Sequence, residues 1–272
     1  MNSKIQNIQI RIVRIGILIL AAVFVLFLSI PLIVVLLRAL EVAMIDQFTQ
    51  PTVSRAVQLS LITSLASTLI TIVFGMPLAY ILARRRLRGQ RVIETLLDLP
   101  IVLPPAVAGL ALLMTFGRRG LFGSALDSIG LSLPFTSIAV VMAQTFVAAP
   151  FFIRSAQVGF ANVPREIEEV ASDLGASDVQ VFRRVTLPLA GSSLLAGIIL
   201  TWARALGEFG ATILFAGNFP GRTQTMPLAI YQALETDLGS ALAIAAILIL
   251  IAFVFLLALR FVTHGRAAHP ML

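Results

Sequence analysis

Residues 15–37 read IGILILAAVFVLFLSIPLIVVLL, 23 positions without a charge. The hydrocarbon core of a bilayer is about 30 Å thick, and a helix needs ~20 apolar residues to cross it, so this run is long enough to span. Lys4, Arg11 and Arg14 place a basic flank before it, as in a secretory leader. The run is too long for a leader's apolar core, however, and no small-residue cleavage site interrupts it. It is therefore expected to remain as a first span.

Further apolar runs fall at roughly 57–83, 99–116, 137–153, 189–216 and 240–262. The whole chain of 272 residues is 58% hydrophobic and 12% charged, against about 45–50% and about 25% for a soluble domain. In lipid every backbone polar group must be satisfied within the structure, and the runs lack the alternation of a barrel strand. The sequence thus predicts an all-α integral membrane protein of about six helices. No tandem repeat, low-complexity tract or separate soluble domain interrupts it, so residues 1–272 read as one transmembrane domain.

The net charge of +7 would suggest nucleic acid in a soluble protein. In a membrane protein basic residues mark the cytoplasmic side. With the N-terminus inside, Lys4, Arg11, Arg14, Arg84, Arg85, Arg86, Arg88, Arg91, Arg154, Arg165, Arg183, Arg184, Arg260 and Arg266 share that side. Arg38, Arg55, Arg118, Arg119 and Arg222 fall outside, and Arg204 lies within a span. The asymmetry predicts both termini inside, with the Arg84 to Arg91 cluster meeting lipid headgroups; it leaves no reason to expect nucleic acid.

Several chemistries are excluded. There is no cysteine, and both histidines, His264 and His269, lie in the C-terminal tail, so no metal cluster or His-centred catalytic set can form at membrane depth. The only lysine is Lys4, which rules out a phosphate-binding loop of the Gly-x-x-x-x-Gly-Lys-Ser/Thr kind. The chain cannot be its own ATPase. A gradient-driven carrier would show carboxylates or histidines along its path, yet only Arg204 and Glu208 are clearly inside a span, with Asp98 at a boundary. Active transport by this chain would need a separate motor.

The longest cytoplasmic connection, NVPREIEEVASDLGASDVQVFRRVTLP at 162–188, has local structure of its own. Pro164 suits a helix start, Glu166, Glu168 and Glu169 complement its dipole, and Gly175 suits its stop. Ile167, Val170, Ala171 and Leu174 would share one face. A second helix can start at Ser177, with Gln180 at capping-box spacing, burying Val179, Phe182 and Val185 before Pro188 opens the next span. One reading of this pattern is an amphipathic helix resting on the membrane surface. The residues also resemble the EAA loop of ABC importer permeases, with Glu169-Val170-Ala171, Gly175 and Leu187-Pro188 matching except for Val170 in place of alanine. That resemblance implies a coupling helix that docks in a groove of an ATPase subunit.

Two further stretches, WARALGEFGATILFAGNFPGRTQTMPLAIY at 202–231 and LPIVLPPAVAGLALLMTFGRRGLFG at 99–123, resemble molybdate-type permeases, with sulfate and tungstate permeases as relatives. Together the likeness covers most of 57–262. It implies the type I importer permease fold, a homodimer with the path at its interface, two ATPase subunits that bind the ATP and magnesium, and an extracytoplasmic substrate-binding protein. No cofactor is implied in this chain.

Candidates for the path or its gate follow from the residues themselves. Arg204 and Glu208, four apart, share a helix face and can pair; a paired arginine has little charge left for an anion, so a structural salt bridge competes with substrate contact. Gly207 and Gly210 permit close helix approach or a kink. Ser60, Thr63, Ser64, Ser67, Thr68 and Thr71 form a hydroxyl stripe that either passes a hydrated dianion without trapping it or packs helices. Arg118 and Arg119 could attract anions at the outer mouth or anchor the interface. Pro100, Pro104 and Pro105 could make a hinge or a fixed irregularity.

Overall fold

The computed structural model describes residues 2–41, 50–85 and 87–267, with side chains over 13–41, 50–85 and 87–257. The side chains of Lys4, Arg11, Arg260, His264 and Arg266, and residues Arg86 and His269, lie outside the described residues. The elements are α1 (Asn2–Glu41), α2 (Pro51–Arg84), α3 (Gln90–Val102), α4 (Pro105–Phe116), α5 (Gly123–Ser128) and α6 (Ser137–Ala161). They are followed by α7 (Arg165–Asp173), α8 (Asp178–Leu189), α9 (Gly191–Leu206), α10 (Gly210–Phe215), α11 (Met226–Thr236) and α12 (Leu238–Ala267). No strand occurs among the described residues.

Four stretches are long and apolar enough to cross a membrane singly, namely Val13–Glu41, Pro51–Arg84, Ser137–Ala161 and Leu238–Leu257; two bent pairs bring the number to six. The expected spans 99–116 and 189–216 are therefore corrected from single helices to broken ones. Leu103 is extended (φ −66°, ψ 138°) before Pro104, itself at ψ 133°, as a residue preceding proline is forced to be. The result is a 115° bend between α3 and α4. The other span starts only at Gly191, after a 70° bend from α8. It breaks again at Gly207–Phe209, where Phe209 leaves helical geometry at φ −126°, ψ −56°.

The two breaks fit each other. A Cβ on Gly210 would lie 2.7 Å from Pro105 Cβ, and one on Gly109 would lie 2.7 Å from the Ala211 carbonyl oxygen, so α4 and α10 touch backbone to backbone through these glycines. The same device holds the central trio of α2, α6 and α9. Cβ atoms would come within 3.0 Å of Ile153 at Gly75, 2.6 Å of Ser193 at Gly159 and 2.8 Å of Ser155 at Gly197. Lipid tails are as apolar as leucine, so these helices gain from close dispersion contact rather than from leaving water. Phe152 and Phe160 are fully buried where they meet. By contrast α1 packs against α12 and buries Ala39, while its apolar side chains from Val13 to Leu40 largely face outward.

Apart from Arg204, which lies within the bundle, the described basic residues separate to two ends. The ends of α2 and α6 with α3, α7 and α8 form one, called here the α7 end. At the other, the α11 end, the Ser137 hydroxyl donates to the Arg222 carbonyl (2.7 Å), Phe135 N–H donates to Phe215 O (3.3 Å), and Gly221 lies against Arg55.

Candidate functional site

At the α7 end the chain leaves α6, makes two short helices and re-enters the bundle. Pro164 sits at the N-cap of α7, just before the helix. Glu166 and Glu168 occupy the first turn, favoured by the dipole. Gly175 at φ +89° stops the helix, a conformation that suits glycine. The capping box forms as read, with Ser177 N–H donating to Gln180 Oε1 at 2.9 Å. α8 then widens into a π turn at Phe182–Thr186, and Leu187 N–H donates to Phe182 O, five residues back. Pro188, next along, has no N–H for a regular bond.

The apolar face expected for this loop exists but turns outward. Ile167, Val170, Leu174 and Val179 are 46%, 58%, 84% and 65% exposed. For Val179 this is a correction, since it was expected to be buried. Val181 and Thr186 fill the interior instead, with Phe182 and Val185 half-buried; Val179 and Val181 stand about 200° apart around the helix, so burying one turns the other outward. Glu169, Gly175 and Pro188 are exposed, while Ala171 and Leu187 are half-buried.

Glu168 points the opposite way from its neighbour. Its Oε1 accepts from Arg84 Nη2 at 2.7 Å and from the Thr186 hydroxyl. The Arg84 and Glu168 side chains are only 10% and 16% exposed, so Arg84 is corrected from a lipid-facing residue to part of an ion pair between distant segments of the chain. A second pair ties α3 to α6. Arg154 Nε donates to Asp98 Oδ1 at 2.7 Å, its Nη2 pairs with the other Asp98 oxygen, and its Nη1 donates to Gln157 Oε1 at 2.8 Å. Gln157 and Gln90 both donate to Glu94 Oε1, at 2.8 and 2.9 Å. Sequence reading missed both networks, because their partners stand 84 and 56 residues apart.

In the bundle, Arg204 Nη2 lies 2.7 Å from Glu208 Oε2, and Glu208 is 1% exposed. Glu208 Oε1 also accepts from Ala211 N–H at 2.8 Å, so the same carboxylate caps α10 across the break. The hydroxyl stripe is buried throughout. Ser60 Oγ accepts from Met226 N–H at 2.7 Å and Ser67 Oγ from Thr145 at 3.1 Å. Thr63, Ser64 and Thr68 bond back to their own helix. Thr71 Oγ1 has no hydrogen-bond partner among the described residues, nor have the amide atoms of fully buried Gln144. Arg118 and Arg119 stand exposed in the turn after α4.

Residues 72–265 match the family model described as "Binding-protein-dependent transport system inner membrane component". The chain is 41% identical over 228 residues to the molybdenum transport system permease protein ModB of Mycobacterium bovis, covering 84% of this chain and 86% of that protein. It is 37% identical over 205 residues to the sulfate transport system permease protein CysT of Salmonella typhimurium, covering 75% and 74%. Among solved structures, a bacterial ABC transporter importing the acidic polysaccharide alginate superposes with TM-score 0.64 at 18% identity, over 83% of each chain. The MetNI methionine ABC transporter does so with TM-score 0.59 at 18% identity, over 78% of this chain and 95% of that one. The broken helices and the outward-facing loop thus lie on the fold of ABC importer permeases, and the chain, a multi-pass protein of the inner membrane, belongs to the family of binding-protein-dependent transport system inner membrane components.

Proposed function

We propose that this permease subunit carries a tetrahedral oxyanion inward, molybdate before tungstate or sulfate, by ATP-driven alternating access. The observation that carries the transport reading is the exposed ridge of Ile167, Val170, Leu174 and Val179 on two short helices held at the end of the bundle. An apolar ridge of this kind, outside the membrane-crossing helices, fits a groove on another protein. What supports molybdate is the 41% identity to ModB; the 37% identity to CysT keeps sulfate as the second reading.

In this reading two copies of the chain form the path, and the α7 end, with both termini, faces the cytoplasm, as its arginines favour. Each α7 docks on an ATPase subunit that holds the ATP and magnesium, and a binding protein delivers substrate at the α11 end. ATP draws the motors together, and the docked helices carry that motion into the bundle as a rigid-body shift. The path then reorients, and hydrolysis resets it.

The test is ATPase activity of the assembled complex with molybdate, tungstate and sulfate. Molybdate is expected to stimulate most, and a larger response to sulfate would move the assignment. Anion flux through liposomes holding this chain alone would establish a channel or gradient-driven carrier instead. Absence of substrate-linked ATPase with any partner would favour a non-transporting scaffold.

A further inference from the structure

We propose that Arg84 and Glu168 are positioning residues that lock α7, the π turn of α8 and the end of α2 into one rigid joint, so that movement of the docked helix reaches two membrane helices at once; this rests on the reading of α7 as the docking helix. The joint is built from few atoms. Glu168 Oε1 accepts from Arg84 Nη2 at 2.7 Å and from the Thr186 hydroxyl. Arg84 uses its other terminal nitrogen, Nη1, to donate to Val163 O at 3.1 Å, and its own carbonyl accepts from Arg165 Nη2 at 2.9 Å. These bonds connect the last residue of α2, both sides of the α6–α7 turn and the π turn that leads into α9.

Burial makes the joint stiff. Thr186 is fully buried, and the Arg84 and Glu168 side chains are nearly so, which shields their charge-assisted bonds from water. A loop between α6 and α7 would otherwise be free to flex at Asn162–Pro164. With Val163 O and Arg165 both held by Arg84, that freedom is removed. Adjacent helix residues point about 100° apart, so Glu169 can face a partner while Glu168 faces the bundle. Force on the exposed ridge therefore has two direct routes inward, through Arg84 to α2 and through Thr186 to α9.

The chain contains no cysteine, so spin labels can be placed cleanly at Ile81→Cys on α2 and Asp173→Cys at the end of α7, both exposed positions. The labelled chain is diluted with unlabelled copies and assembled with the ATPase subunits in lipid. The intrachain distance is expected to keep one sharp peak with and without ATP plus vanadate, and to broaden or shift on Glu168→Gln. A wild-type peak that moves with nucleotide, or a Glu168→Gln peak as sharp as wild type, overturns the joint.

Uptake gives the second readout. Substrate moved per ATP hydrolysed is expected to fall about tenfold, equivalent to ~1.4 kcal/mol, in Glu168→Gln and in Arg84→Lys, which lacks the rigid two-nitrogen fork that reaches Glu168 and Val163 O. The double variant is expected to be no worse than the weaker single one, since both break the same joint; full additivity counts against it. If the charge variants fail to insert, Thr186→Val removes one strut without changing charge and is expected to lower the same ratio, whereas an unchanged ratio overturns the proposal. A wild-type complex without ATP-dependent uptake would remove the docking reading and the joint with it. Wild-type coupling that survives in every variant would remove the joint alone.

Discussion

The α7 end and the α11 end both expose arginines, Arg85, Arg88, Arg91, Arg183 and Arg184 among them at the α7 end, but only the α7 end also uses arginines as bridges. At the α7 end, Arg84 and Arg154 each bridge two elements through a carboxylate, with Glu168 and Asp98 as partners. At the α11 end, Arg55, Arg118, Arg119 and Arg222 are exposed and make no ion pair among the described residues. There the loops are held by hydroxyls and backbone groups, such as Ser137 to Arg222 O and Phe219 N–H to Thr223, and by the edge-on rings of Phe135 and Phe219. One end is thus braced by ion pairs between elements, and the other by hydroxyl and backbone hydrogen bonds.

The sharpest break of this contrast lies within the bundle. Arg204→Ala strands the carboxylate of Glu208, which is 1% exposed, and should lose ~3–5 kcal/mol. The double change with Glu208→Ala should lose less, although it also removes the cap on Ala211 N–H, itself worth ~1 kcal/mol. Thermal midpoints in detergent separate them, and equal midpoints would remove the pairing argument.

The next effect tests the braced end. Glu169→Arg, exposed beside the ridge, or Gly175→Pro where φ is +89° and proline cannot follow, should reduce uptake by about tenfold, the equivalent of ~1.4 kcal/mol. Membrane insertion should stay at the wild-type level, because neither residue packs in a span. Uptake at the wild-type rate in either variant would end the docking assignment. Packing of the central trio comes in at a similar size: Gly159→Leu pushes on Ser193, which would lie 2.6 Å from an added Cβ, and should cost ~1–3 kcal/mol in the detergent melting curve. A neutral result would mean that α6 and α9 are not held by close approach.

The smallest effect belongs to the α11 end. Arg118→Glu with Arg119→Glu should slow uptake only modestly and lose its effect as salt rises, because exposed charges are screened over ~8 Å at physiological ionic strength. Proteoliposomes with equal inserted protein, compared at low and high salt, provide the measurement. A defect indifferent to salt would assign both arginines to interfacial anchoring.

What could be read from the sequence was local. Gly175, the Ser177 and Gln180 box, and the Arg204–Glu208 pair all act within four residues, where helical spacing fixes who meets whom. The prolines at 104 and 105 marked an irregularity but not its 115° angle, which depends on α4 packing against α10. Arg84 resembled Arg85 and Arg88 in sequence and differs only because the α6–α7 turn closes over it. Helical spacing from Phe182 and Val185 assigns Val179 to the interior, but Val181, about 200° away around the helix, takes that place. The hydroxyl stripe was legible as a pattern; that it lies buried against α6 and α11 follows only from tertiary contacts.

The Arg84–Glu168 contact spans 84 residues, and Thr186 lies 18 residues further on. Chains are synthesised from the N-terminus, so Arg84 enters the membrane boundary long before its carboxylate exists. The braced end is thus the last part of this half of the protein to mature, completed when the chain has grown past residue 186.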